Sequence, residues 1–399
     1  MDSQPTKGVA AGSAPPESRV RPEFERIALL LQGGGALGAY QGGVYQALAE
    51  ADLHPDWVAG ISIGAINAAL IAGNPPERRV ERLRTFWETV TEPPLGVPYF
   101  AGIDIKNDMT RQMINQFRAM GALLWGAPSF FKPRVPPPIF TPTSSPGELS
   151  FYDVTPLKML LEKLVDFDLL NSCETRISVG ATNVKTGNFI YFDSAEQREK
   201  NKKLESAHII ASGSLPPGFP ATEIEGEYYW DGGIVSNTPL QWVLDAIPRQ
   251  DTLAFQIDLW SAAGELPRDV VELDVRQKDI RFSSRTRLAT DQFRKMQKLR
   301  RATAKLLAQM PEALRDTPEA KLLEQEADNK VYNIIQMIYR ARNYEGASKD
   351  YEFSRRTMEE HWKSGYSDMQ RTLTFPAVLQ RPKSVDGVFT FDLKAQKNQ

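Results

Sequence analysis

The sequence predicts an α/β fold with a mainly parallel central sheet, and three observations carry that prediction. Residues 27–31, IALLL, form a short apolar run that ends in glycines. A second run, DWVAGI over 56–61, comes one helix-length later. Each run is followed by a segment whose apolar residues recur at helical spacing. A strand buried on both faces reads as continuously apolar, and strand–turn–helix twice over is the opening of a wound sheet.

The elements follow in chain order. Residues 1–25 are rich in Pro, Ser, Ala and Gly, contain no apolar run of signal-peptide type, and read as a disordered tail. Spacing over 39–51 puts Val44, Ala47 and Leu48 on one side of a helix, and 63–72, IGAINAALIA, reads as a small-residue helix packed closely on a sheet. An amphipathic helix is expected over 77–90. From 91 to 150 the chain is dense in proline and reads as an insertion wrapping the surface beside the sheet. A helix over 153–165 opens with DVTPL. Strands at 176–184 and 187–193 join at Lys185-Thr186 like a hairpin, and a polar helix follows near 202–211. ATEIEGEYYWDGG, 221–233, is hairpin-like, and 252–260 reads as a further strand. From about Arg276 long polar helices are expected, at 288–310, 319–344 and 350–373, with little strand signal before the last residues. The expected division is an α/β domain over 26–265 and a helical C-terminal region over 276–399.

Composition narrows the class of function. With 399 residues, 41% hydrophobic and 25% charged, the chain is of ordinary soluble globular type. Its 48 basic and 50 acidic residues nearly cancel, so nothing points to nucleic acid. The single cysteine, Cys173, excludes an internal disulfide framework and fits a reducing, cytoplasmic compartment. Three histidines, His54, His208 and His361, leave little material for a metal site, and no metal or cofactor is expected. The most apolar stretches are broken by glycine and polar residues, which argues against a membrane span and leaves peripheral attachment open. Residues 276–305 carry eleven Lys/Arg against two Asp. That segment is either a solvated helix face or a surface for anionic lipid headgroups, each nearby cation adding about 1 kcal/mol or less.

The glycine loop offers three chemistries. Gly33, Gly35 and Gly38 satisfy G-x-G-x-x-G between a strand and a helix, where main-chain N–H groups can cradle a pyrophosphate, a nucleotide phosphate or an oxyanion. A dinucleotide site needs an acid at the end of the second strand, yet the nearest, Asp56, sits at its start. No Lys-Ser/Thr pair follows the glycines, so the nucleotide pattern fails as well. Where the acid would stand is Gly60-Ile61-Ser62-Ile63-Gly64, a nucleophile-elbow pattern at a strand-to-helix junction. Its bland counterpart is a tight turn with a serine helix cap. No histidine has a context that would make it the base. Asp231, after an aromatic strand and before Gly232-Gly233, is the alternative, although such a segment by itself reads as a hairpin turn.

In this order, Gly33-Gly34-Gly35-Ala36-Leu37-Gly38, Gly60-Ile61-Ser62-Ile63-Gly64 and Asp231-Gly232-Gly233 resemble patatin-like phospholipases. Ala211-Ser212-Gly213-Ser214-Leu215-Pro216-Pro217-Gly218-Phe219-Pro220 is similar to that family's Ser/Pro-rich block ahead of the catalytic acid. The resemblance covers residues 27 to about 260, and the region beyond 276 looks like the extension of one bacterial subgroup. It implies a three-layer sandwich around a mainly parallel sheet, and a Ser62–Asp231 dyad working through an acyl-enzyme. The oxyanion hole would come from the loop Gly33, Gly34, Gly35, Ala36 and Gly38, with Gly60 and Gly64 shaping the elbow and Gly232 and Gly233 supporting the acid. The family often carries Arg or Lys where Leu37 stands. This departure leaves the acyl chemistry intact and removes support for a phosphate-headgroup preference, so neutral esters, lysolipids, acylglycerols and a polyester stay open. The expected function is serine acyl-ester hydrolysis of a lipid or other acyl ester. Acyl transfer at the same site, a dinucleotide-binding protein and a non-catalytic lipid-binding scaffold are the alternatives. Basic helices over 276–305 are the expected peripheral membrane surface, and a homo-oligomer is left open.

Overall fold

The structure, a computed structural model, describes residues 21–92, 108–140, 145–283, 286–342 and 345–393. Nine strands form one sheet: β1 (Arg26–Leu31), β2 (Trp57–Ile61), β3 (Arg176–Asn183), β4 (Phe189–Asp193), β5 (Thr222–Ile224), β6 (Glu227–Asp231), β7 (Thr252–Asp258), β8 (Tyr332–Ile338) and β9 (Val388–Asp392). Six of them run parallel in the order β9-β8-β7-β1-β2-β3. β4 lies antiparallel on β3, and the β5–β6 hairpin runs antiparallel to the far end of β3.

Strand periodicity explains why the sheet is covered on both faces. Ile27, Leu29 and Leu31 of β1 enter one core, while Ala28 and Leu30 enter the other. The larger core lies under α1 (Ala39–Glu50), α2 (Ile63–Ala72) and α3 (Pro76–Val90). The smaller is closed by the short helix Leu240–Leu244 and by Phe293. Every residue of α2 is buried, which is why its sequence is apolar and mostly small all round. The chain is thus a three-layer α/β sandwich with a mainly parallel centre.

Two sequence expectations are corrected. The tail was expected to run to residue 25. Residues 1–20 lie outside the described residues, but Phe24 is buried and Glu25 pairs with Lys330 and accepts the Asp251 N–H at 2.6 Å. The helix expected over 319–344 ends at Glu326, and Tyr332–Ile338 is a strand. Its run YNIIQMI is short, rich in isoleucine and almost wholly buried, which suits a strand covered on both faces, although the polar helices around it hide that signal.

The C-terminal region is therefore part of the sheet. β8 pairs with β7 over seven residues, and β9 extends it further. A long helix, Arg355–Thr372, lies against α1 with the backbones nearly touching: a Cβ on Gly43 would stand 1.9 Å from the Trp362 carbonyl oxygen. The Trp362 indole N–H donates to Gln46 Oε1 at 2.7 Å, fixing the contact from the side.

Candidate active site

β2 delivers Ser62 to the C-terminal edge of the sheet, where the chain must reverse at once into α2. Ser62 has φ 56° and ψ −122°, a left-sided conformation that costs on the order of 1–3 kcal/mol and persists only when neighbours enforce it. They do so here. The Ser62 N–H donates to Ser212 Oγ at 2.9 Å, and that hydroxyl donates to the Gly180 carbonyl at 2.6 Å. The bend also brings chain segments too close for side chains, since a Cβ on Gly60 would lie 2.2 Å from the Gly64 carbonyl oxygen.

Strand register brings the acid to the serine. Ile61, the last residue of β2, stands opposite Gly180 of β3, and Asp231, the last of β6, stands opposite Ala181. β4 occupies the other edge of β3 over Ser178–Thr182, so β2 and β6 share one edge and meet nearly end to end. Ser62 and Asp231 consequently occupy neighbouring positions despite their distance in the chain. The Asp231 carboxylate accepts the Gly233 N–H at 2.7 Å, and its own N–H donates to the Ser214 carbonyl at 2.9 Å. Burial raises its pKa to about 6, opposed by hydrogen bonding from Ser62 and from the Gly233 N–H.

The glycine loop lies beside this pair, and its amides divide into two groups. The Gly33 N–H donates to Asn237 Oδ1 at 3.2 Å, and the Gly33 carbonyl accepts from Asn237 Nδ2 at 3.1 Å and from the Trp260 indole at 2.8 Å. The Ala36 N–H donates to the Asp350 carbonyl at 2.7 Å, and the Leu37 N–H to Gly34 at 3.2 Å. The N–H groups of Gly34 and Gly35 meet no acceptor among the described residues. Gly33, Gly34, Gly35, Ser62, Asp231 and Gly233 all line one cavity. Gly38 packs on Ile63 and Trp87 instead, and Gly232 packs on the Gly180 main chain. The space over Gly35 is filled by this chain's own residue Asp350, whose carbonyl oxygen would stand 2.1 Å from a Cβ there, so the loop is not open to a pyrophosphate on that side.

The cavity, about 340 Å³, is walled mainly by apolar side chains, among them Ile63, Ile66, Leu157 and Ile210. Phe130 and Phe131 come from the proline-rich insertion, Phe219 from the Ser/Pro-rich block and Phe353 from the C-terminal region, and their rings pack edge to face or tilted. The insertion thus supplies cavity wall as well as surface. None of the three histidines lines the cavity. Sequence reasoning missed Asn237, Trp260, Lys278 and Asp350, which touch the loop or line the cavity. Ser212 lay inside the quoted Ser/Pro-rich block, so the block was a signal for it. The other four sit in no motif.

A three-layer α/β sandwich thus brings a strained serine, a buried carboxylate and two amides without an acceptor among the described residues to one apolar cavity. A family model described as patatin-like phospholipase matches residues 29–244, and a second, described as patatin phospholipase, matches residues 280–385. The chain belongs to the patatin-like phospholipase family. Two patatin-like phospholipase domain-containing proteins, from Pyricularia oryzae strains 70-15 and Y34, are each 48% identical over 54 residues. That segment is 14% of this chain and 7% of either relative, so the match spans a small part of their length. VipD from Legionella pneumophila superposes over 94% of this chain and 73% of its own, with TM-score 0.40 and 17% identity.

Proposed function

We propose that this chain is a serine hydrolase of lipid acyl esters, with Ser62 as nucleophile, Asp231 as proton acceptor and the Gly34 and Gly35 N–H groups as oxyanion donors. One observation carries the reading: a buried carboxylate and a serine at a strained bend line one cavity, beside two amides that meet no acceptor among the described residues. In the first half-reaction Ser62 Oγ adds to the ester carbonyl while Asp231 takes its proton. The tetrahedral oxyanion is held by the loop, and the alcohol leaves with that proton, giving an acyl-enzyme. Water then adds to the acyl carbonyl, Asp231 receives a proton from it, and Ser62 leaves as the hydroxyl with the proton returned. A carboxylate raised to about 6 is a better base than an ordinary one, yet still weak for an alcohol. Most of the rate must therefore come from the oxyanion donors, each contributing about 3–4 kcal/mol.

A lipid aggregate as the source of substrate is supported by α4 (Asp108–Trp125). This helix is amphipathic in the reverse sense. Asn115 is buried and Arg111 pairs with Glu360, whereas Met113, Phe117, Met120 and Leu124 form an exposed stripe. Leu123 and Leu215 are exposed and also line the cavity, so the stripe continues into the mouth. The basic segment 276–305 is less available than its composition suggests. Lys278 pairs with Asp350, Arg294 with Asp386 and Arg300 with Asp245, while Lys295, Lys298 and Lys305 face solvent. Among the described residues no helix is long and apolar enough to cross a membrane.

The direct test is intact-mass labelling of the folded chain with a fluorophosphonate, with p-nitrophenyl butyrate turnover measured in parallel. One adduct on Ser62, and loss of both adduct and turnover in Ser62→Ala, is the expected result. A folded protein that takes no label would sink the hydrolase reading.

A further inference from the structure

We propose that the C-terminal region sets the geometry of the glycine loop, with Lys278 and Asp350 as positioning residues for the oxyanion donors. The inference rests on the hydrolase reading and gives the C-terminal region a part in that same site.

The contact is made by main chain. The Asp350 carbonyl accepts the Ala36 N–H at 2.7 Å and presses on Gly35, which has φ 56°. No residue with a Cβ fits there, because that atom would lie 2.1 Å from the same oxygen. Binding Ala36 from outside fixes the peptide planes before it, and those planes carry the two free donors. The loop is thereby turned by a residue remote from both strands that flank it.

Asp350 is itself held from two sides. Its carboxylate pairs with Lys278 Nζ at 2.6 Å, and the preceding residue, Lys349, pairs with Asp279 at 2.6 Å. Lys278 and Asp279 are consecutive on the helix Val270–Phe282, so two adjacent ion pairs lock one short segment onto one helix turn. Both ammonium groups also approach the Trp260 ring, at 5.8 Å and 5.1 Å, and the Trp260 indole N–H holds the Gly33 carbonyl at 2.8 Å. The two ends of the loop, Gly33 and Ala36, are thus anchored to a single cluster. Ion pairs in a largely apolar wall carry a desolvation cost, and as stabilisers they are weak. What this pair does is fix the carbonyl that the loop leans on.

The experiment compares the full chain with Lys278→Met and Lys278→Arg. Two quantities are read: amide hydrogen exchange at Ala36 by fragment mass spectrometry, and kcat and KM on p-nitrophenyl butyrate. Lys278→Met should speed exchange at Ala36 at least tenfold and lower kcat about tenfold, less than the 10²–10³-fold typical of deleting a donor outright. KM should stay within twofold, and Lys278→Arg should restore both quantities to within about threefold. If Lys278→Met does not fold, Asp279→Asn, which loosens only the neighbouring pair, decides the matter with a two- to fivefold change in the same direction. Unaltered exchange and kcat in a folded variant overturns the proposal. So does a raised KM at constant kcat, which would make Lys278 a substrate contact. Faster exchange at Ala36 in a protein whose wild type cleaves no ester would sink the hydrolase reading and leave the anchoring intact.

Discussion

At the scale of single residues, Asp231 carries two opposed effects. The residue is 3% exposed, and burial raises its pKa from an ordinary carboxylate value to about 6. Proton acceptance requires the ionised form, so kcat/KM on a soluble ester should rise with pH through about 6 and level off above it. A profile flat from pH 5 to 8 would remove Asp231 from the role of base. The same displacement costs stability. An acid whose pKa is raised on folding favours the native state below its ordinary value, and that contribution is lost as pH rises through the folded value. Asp231→Asn should therefore abolish turnover while making the protein more stable at pH 8, by on the order of 1–3 kcal/mol. Thermal unfolding of wild type and variant at pH 5 and pH 8 checks it, and the gap should shrink at the lower pH. Ser62 likewise carries a stability cost through its positive φ.

Among the elements, α4 makes the clearest prediction because it breaks the usual rule of apolar-inward packing. Phe117 and Met120 are 71% and 58% exposed. Replacing both with serine should leave turnover of p-nitrophenyl butyrate within about twofold of wild type, as surface changes usually cost little stability. Turnover of ester presented in vesicles should fall at least fivefold if lipid docks there. Equal turnover on vesicles would exclude this stripe as the lipid-facing surface, and a shift from dimer to monomer on size exclusion would assign it to a second copy of the chain. The adjoining β2–α2 junction was legible in the sequence for a local reason. Glycine at 60 is demanded by a collision with the Gly64 carbonyl four residues on, so that half of the pattern lies beside its cause, whereas Gly64 is kept small by the Leu31 carbonyl of β1. α4 was not legible, because its reversed faces give the same helical spacing as an ordinary amphipathic helix.

For the whole molecule, the C-terminal strands bear on what counts as a domain. β8 supplies a full parallel partner to β7, and the helix Arg355–Thr372 covers α1 directly behind the glycine loop. A truncation after residue 275 would strip an apolar central strand of its neighbour and open the larger core. Such a fragment should be insoluble or lack a cooperative thermal transition. A soluble fragment that unfolds cooperatively would contradict the single-sheet architecture. The division into an α/β domain and a helical appendage treats as separate what the sheet joins.

By itself the sequence determined the wound sheet at its start, the strained serine, the acid before paired glycines and the family to which those motifs belong. Each shows in a short stretch of chain: a continuous apolar run, a glycine-flanked turn, a helix that starts at a set place. Only the tertiary structure decided that β2 and β6 meet on one edge of β3, which of the loop amides stay free, and that Lys278 and Asp350 reach the loop. Those are contacts between segments far apart in the chain. Their geometry is fixed by strand register and helix packing, and a carbonyl oxygen, the group that turns the glycine loop, is common to every residue and leaves no mark in a sequence.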